Sequence, residues 1–190
     1  REYVMKRAVS ELIGESSARM GLATLHNNDS VGTAVTDMTV STNKDTLLDE
    51  LLQIESDGGT PLRTLLRNIG RYFDENDGNA DNSSLGFTEH NGPIETIANG
   101  GECQQNFTVL LTDGFWNGSD PGFGNVDADG DSPNAAGNTP FDGGPHADSV
   151  SDTLADIAMH YFETDLSTLD NNVQETEYID PDTGITYTND

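Results

Sequence analysis

Residues 106–118 read NFTVLLTDGFWNG, and an apolar, β-branched run within them stops at Asp113-Gly114. A carboxylate at the mouth of a strand that is apolar on both faces is a hard oxygen ligand held at a defined point. A second oxygen of that kind belongs to Thr60, fifty-three positions earlier in GGTPLRTLLRNIGRYF. Mg²⁺ takes few protein oxygens in near-octahedral geometry and keeps several waters, so the pair suits it or another divalent cation. Gly58-Gly59 would let the backbone approach such an ion, and Gly114 gives Asp113 a tight turn. Two uses stay open at each position. Thr60 is a metal ligand or only a helix cap, and Asp113 is a ligand or only the cap of the following loop.

A second oxygen-rich stretch, NVDADGDSPNAA, fits the first half of an EF-hand-like calcium loop. Asn125, Asp127 and Asp129 occupy its positions one, three and five, Gly130 the sharp turn at six, and Asp131 position seven. Ala136 stands where the bidentate Glu belongs, and no helix is expected on either side; Asp142 or Asp148 would have to supply the missing oxygens. DGNADNSS is a weaker copy, with Asp77, Asn79 and Asp81 at alternate positions. The alternative for both is a solvated acidic loop. His26, His90, His146 and His160 are scattered and Cys103 is alone, which leaves no zinc-like spacing. Neither a nucleophile elbow nor a phosphate-cradling loop is present.

The elements that must position these groups follow from hydrophobic periodicity. REYVMKRAVSELI places Val4, Ala8, Leu12 and Met5, Val9, Ile13 on adjoining helical rows. RMGLATL and GTAVTDMTV read as short strands on either side of a polar turn. TNKDTLLDELLQI opens with Thr42 and Asp45 spaced like a capping box and carries Leu47, Leu51 and Ile54 on one face. In the next helix Thr60 is the expected N-cap and Pro61 the first helical residue, with Leu62, Leu65, Leu66, Ile69 and Phe73 as its apolar stripe. The last helix lies in DSVSDTLADIAMHYFETDL, with Leu154, Ile157, Ala158 and Tyr161 on its buried side. Two long Gly/Asn/Asp-rich insertions, about 74–101 and 117–146, separate these elements; stretches of that length are usually functional or metal-ordered. The tail, 174–190, carries a hairpin signal at Asp180 to Gly184. Alternating strands and helices predict an α/β domain with a doubly wound, mostly parallel sheet, which binds ligands beyond the carboxyl ends of its strands.

Composition narrows the partners. Among 190 residues, 34 acidic against 8 basic give a net charge of −26. Such a chain repels nucleic acid and anionic membranes. It favours cations, basic partners or a salty medium, unless the acidity serves only solubility. No apolar run approaches the ~20 residues of a membrane-spanning helix. The sequence opens directly on a helical pattern without an initiator Met, as a segment of something longer would.

RMGLATL, GGTPLRTLLRNIGRYF, CQQNFTVLLTDGFWNG, DSVSDTLADIAMHYFETDL and LDNNV, in this order, resemble the von Willebrand factor A-type domain of type IV pilus tip-associated adhesins of the PilY kind. The resemblance covers residues 1–173. It implies helices on both faces of a doubly wound sheet with a metal-ion-dependent adhesion site on top, a cell-surface location on a Gram-negative outer membrane, and partners among minor pilins and surface or host ligands. By motif match Thr60 is the adhesion-site threonine and Asp113 its second aspartate. The family's Asp-x-Ser-x-Ser loop does not occur in the sequence, so that loop, the central first strand and the last strands are expected outside it. The resemblance places the first strand between those carrying RMGLATL and NFTVLLTD. The implied function is a non-enzymatic, metal-dependent adhesion domain supporting pilus biogenesis, attachment and mechanosensing. The alternatives are a Mg²⁺-dependent hydrolase using Asp113, which lacks an evident general acid or base nearby, and a purely structural calcium-stiffened domain.

Overall fold

The structure is a computed structural model that describes residues 2–25, 32–55, 58–76, 85, 87, 92–112, 115–128, 147–170, 177–179, 184 and 186–188. Its first half is a helical hairpin wrapped on a two-stranded sheet. Helix α1 (Glu2–Glu15) leads into strand β1 (Arg19–Ala23), which pairs antiparallel with β2 (Gly32–Asp37), and α2 (Ser41–Gln53) follows. The register Arg19↔Asp37 shifts by a bulge between Met20 and Leu22.

One core lies on one side of this sheet: Ile13 of α1, Met38, and Leu47 and Leu51 of α2 are buried, with Met5, Val9, Met20 and Leu22 packed against them. Of the two rows expected on α1, only Met5, Val9 and Ile13 face inward, while Val4 and Leu12 are exposed. Each fully buried Leu or Ile contributes about 1.5–3 kcal/mol. Lys6 crosses from α1 to the end of α2, where its Nζ donates to the Leu52 carbonyl at 2.9 Å and to that of Ile54, and pairs with Glu2 at 2.7 Å. It thus neutralises the negative end of a helix whose own last turn has no basic residue.

Helix α3 (Leu62–Phe73) covers the other side. Leu65 and Tyr72 join Ala34 and Leu85 in a second core, flanked by Ala23, Leu25, Ile69 and Leu110. The Tyr72 hydroxyl accepts a hydrogen bond from Val35 N at 3.0 Å, tying α3 to β2. The sheet is therefore covered on both faces. Helix α4 (Leu154–Glu163) runs against α3: Tyr161 donates to the Arg67 carbonyl at 3.0 Å, and a Cβ at Gly70 would overlap the Tyr161 ring. In α4, Ile157 is buried as expected, whereas Ala158 is exposed and Asp156 takes an inward place. A second antiparallel pair, β3 (Glu177–Ile179) with β4 (Thr186–Thr188), forms the tail hairpin.

Three local expectations change. Helix α2 starts at Ser41 with Val40 at its cap, so Thr42 and Asp45 form no capping box; the Val40 carbonyl instead accepts from Asn43 N and Lys44 N. Helix α3 starts at Leu62, and Pro61 holds the cap position with φ −80° and ψ 60°, without a side-chain cap. Thr60 precedes the helix, and its carbonyl accepts from Leu62 N at 2.9 Å. The third change concerns residues 107–111, which join no ladder: both described sheets are two-stranded and antiparallel. Leu110 packs on the second core, while Phe107, Val109 and Leu111 are 79%, 78% and 55% exposed. A strand needs a neighbour for its peptide groups, and among the described residues none lies beside this stretch.

Candidate metal centre

Thr60 sits where the chain enters α3, and an arm formed by residues 115–128 folds over that entrance. Asn117 makes the closest junction: Thr60 N donates to Asn117 Oδ1 at 3.1 Å, and Asn117 N donates to the Thr60 carbonyl at 2.9 Å. Gly59 permits this approach, since a Cβ there would stand 2.7 Å from Asn117 Oδ1. The start of α3 is thus bonded to a residue four positions beyond Asp113. Asp113 itself lies outside the described residues, as do Asp77, Asn79, Asp81, Asp129 and Asp131.

Arg63 fastens the same arm from the first turn of α3. Its buried guanidinium pairs with Asp120 at 2.7 Å, donates to the Asp152 carbonyl at 2.9 Å, and lies 3.6 Å from the centre of the Trp116 ring. Cation–π contact of this kind contributes about 0.5–2 kcal/mol. Trp116 is therefore half-covered, whereas Phe115 is 98% exposed. One aromatic of the Phe-Trp pair clamps, and the other projects into solvent beside Thr60's junction.

Further along, two carboxylates plug into the arm's peptide groups. Asp152 Oδ1 accepts from the N–H groups of Gly122, Phe123 and Gly124 at 2.9, 2.6 and 3.3 Å. It does so from a left-handed backbone with φ 61°, a conformation that Asp tolerates better than most residues. Asp156 is fully buried; its Oδ1 accepts from Val126 N at 2.8 Å and Asp127 N at 3.4 Å, and its Oδ2 from Thr153 N and Oγ1 at 2.7 and 2.8 Å. Thr153 Oγ1 accepts from Asp156 N in return, which completes a capping box at the start of α4. Burial pushes the Asp156 carboxyl up, but the hydrogen bonds from Thr153, Asp127 and Val126 together outweigh it and hold it below its ordinary range.

Asn125 and Asp127 flank this turn. Asn125 Nδ2 donates to the Asp148 carbonyl at 3.0 Å, and Asp127 Oδ1 accepts from Asp148 N at 3.4 Å. The carboxamide oxygen of Asn125, Oδ1, and the second carboxylate oxygen of Asp127, Oδ2, are buried without a hydrogen-bond partner among the described residues. An unsatisfied buried polar atom costs about 1–3 kcal/mol, so these two fit oxygen ligands of a hard cation. Among the described residues no three His, Cys, Asp or Glu side chains gather around one point.

Arg63, Asn117, Asp152 and Asp156 escaped the motif reading. Thr153-Leu-Ala-Asp156 has the spacing of a capping box and was open to that reading; the Thr60–Asn117 bond spans 57 positions and leaves no local trace. Asp37, Thr39 and Ser41 repeat the adhesion-loop spacing with threonine in the middle, but they serve a turn. Thr39 donates through both N and Oγ1 to Asp37 Oδ1 at 2.7 Å, just before α2.

The Thr60–Asn117 bonds and the Arg63 contacts thus fix the arm at the entrance of α3 in a strongly acidic chain. The chain is similar over part of its length to the type IV pilus biogenesis factor PilY1 of Pseudomonas aeruginosa. Identity is 31% over 119 residues with the protein of strain UCBPP-PA14, covering 62% of this chain and 9% of that one. With the PAO1 protein it is 30% over 131 residues, covering 65% and 10%, and with the PAK protein 30% over 122 residues, covering 62% and 10%. These matches relate the chain to PilY1 across about a tenth of the relatives' length. No family model matches the chain, and no solved structure matches it.

Proposed function

We propose that the chain is a metal-dependent binding domain of a type IV pilus-associated protein at the surface of a Gram-negative cell, acting in pilus biogenesis and attachment and not as an enzyme. In the doubly wound fold that the resemblance implies, Thr60 and Asp113 stand together at the top of the sheet, where they would hold Mg²⁺ or another divalent cation that a carboxylate of the partner completes. Minor pilins and surface or host ligands are the partners. The observation that carries this reading is the paired hydrogen bonding between Thr60 and Asn117, which brings the helix entrance and the segment following Asp113 together. Similarity to PilY1 supports the pilus setting.

The fully exposed Phe115 beside this junction is a fitting contact for a partner, since large aromatics left in solvent mark binding surfaces. The test is to place Thr60→Ala and Asp113→Asn in the gene at its own locus and to measure attachment of piliated cells with Mg²⁺ and with chelator. Both variants are expected to lose at least ten-fold of the Mg²⁺-dependent attachment. Attachment unaltered by either variant would contradict the proposal, as would Mg²⁺-dependent phosphatase or esterase turnover abolished by Asp113→Asn.

A further inference from the structure

We infer that Asn125 and Asp127 hold a second hard divalent cation, Ca²⁺ or Mg²⁺, through Asn125 Oδ1 and Asp127 Oδ2, and that this ion fixes the end of the arm of residues 115–128 beside Asp148. The inference does not depend on the Thr60–Asp113 reading. It starts from Asp127, a residue 1% exposed that yet presents one carboxylate oxygen with no hydrogen-bond partner among the described residues. Buried polar atoms are nearly always paired, and a buried charge requires a counter-charge or a metal. No Lys, Arg or His among the described residues forms an ion pair with Asp127.

Asn125 makes the site a pair. Its amide nitrogen is spent on the Asp148 carbonyl, so its oxygen is the atom left over, and that oxygen too is buried and unpartnered. Asp127 reaches the N–H of the same residue, Asp148, so both side chains rest on one short stretch of backbone. Asp156 does not relieve Asp127 Oδ2, since it meets the turn Val126–Ala128 through the backbone N–H groups of Val126 and Asp127. One carboxylate and one amide oxygen, without sulfur or imidazole, select Ca²⁺ or Mg²⁺ over zinc or copper. A water bridging the two oxygens is the rival occupant, and it would need no metal.

The test is a calorimetric titration of Ca²⁺, and separately of Mg²⁺, at fixed ionic strength, paired with thermal scans. Wild-type protein is expected to bind the ion and to gain about 5–10 °C in Tm at a hundredfold excess over Kd. Asp127→Asn should weaken binding at least ten-fold and remove the Tm gain, while Asp45→Asn, which removes an exposed carboxylate of α2, keeps both. Asn125→Ala gives the same readout should Asp127→Asn fail to fold by circular dichroism. An isotherm unchanged by Asp127→Asn, or by Asn125→Ala, overturns the inference and leaves the water. Binding lost with Asp113→Asn alone also overturns it, yet leaves the adhesion-site proposal standing.

Discussion

The two ends of the molecule are held by different forces. Around α1, α2 and the β1–β2 pair, Ile13, Met38, Leu47 and Leu51 are buried side by side, with Ile13 on the inward row of α1 and Leu47 and Leu51 on one face of α2. At the α3–α4 end the arm of residues 115–128 is fixed by polar groups instead: Asn117 on Thr60, Asp120 on Arg63, and Asp152 and Asp156 in successive sets of peptide N–H groups. The first region resists disturbance through area; the second depends on charge state and on each bond being complete. Function is expected at the second, because hydrogen-bonded loops present oxygens and peptide groups that an apolar core cannot.

That contrast can be broken in order of expected effect. Leu51→Ala removes a fully buried side chain from the first core, and a loss of about 2–5 kcal/mol in denaturant unfolding is expected. Because it acts away from the arm, cation affinity measured on the folded variant should stay as in the wild type. Asp156→Asn is the polar counterpart. It weakens charge-assisted bonds from Thr153, Val126 and Asp127, for an expected loss of about 1–3 kcal/mol at neutral pH.

The pH dependence separates the two further. The Asp156 carboxyl lies below its ordinary value in the folded chain, so its stabilisation is complete above the unfolded value, near 4, and is lost as pH falls through the folded one. Unfolding curves taken from pH 6 down to 2 should therefore steepen less in Asp156→Asn than in the wild type. Leu51→Ala should keep the wild-type acid slope. Equal slopes in all three proteins would remove Asp156 as the arm's acid-sensitive link.

What was legible in the sequence follows the same division. The row Met5, Val9, Ile13, the pair Leu47 and Leu51, and the stripe Leu62, Leu65, Ile69 are visible because apolar side chains repeat at the helical period. Helix starts are less legible, since Thr42 and Thr60 have capping chemistry but the backbone carbonyls of Val40 and Thr60 itself take those roles. Residues 107–111 look like a buried strand because composition records apolarity and not the presence of a neighbour. The adjacent rows of α1 posed the same difficulty: Val4 and Leu12 are as apolar as Val9 and Ile13, yet they face solvent. Arg63 carries no local signal because its partners, Trp116, Asp120 and Asp152, lie far along the chain. At the second loop the sequence singles out Asn125 and Asp127 as oxygens of a calcium-like loop, and the structure buries one oxygen of each, but the bond from that turn to Asp156 follows from the three-dimensional path alone.

The most direct test of the cation reading at the helix entrance uses Mn²⁺ as a paramagnetic stand-in for Mg²⁺. In amide-resolved NMR of the chain, sub-stoichiometric Mn²⁺ should broaden the signals of Thr60, Phe115 and Asn117 ahead of those in α1 and α2, and the broadening at Thr60 should vanish in Asp113→Asn. Sharp Thr60 and Asn117 signals under Mn²⁺ levels that broaden other acidic surfaces would contradict it.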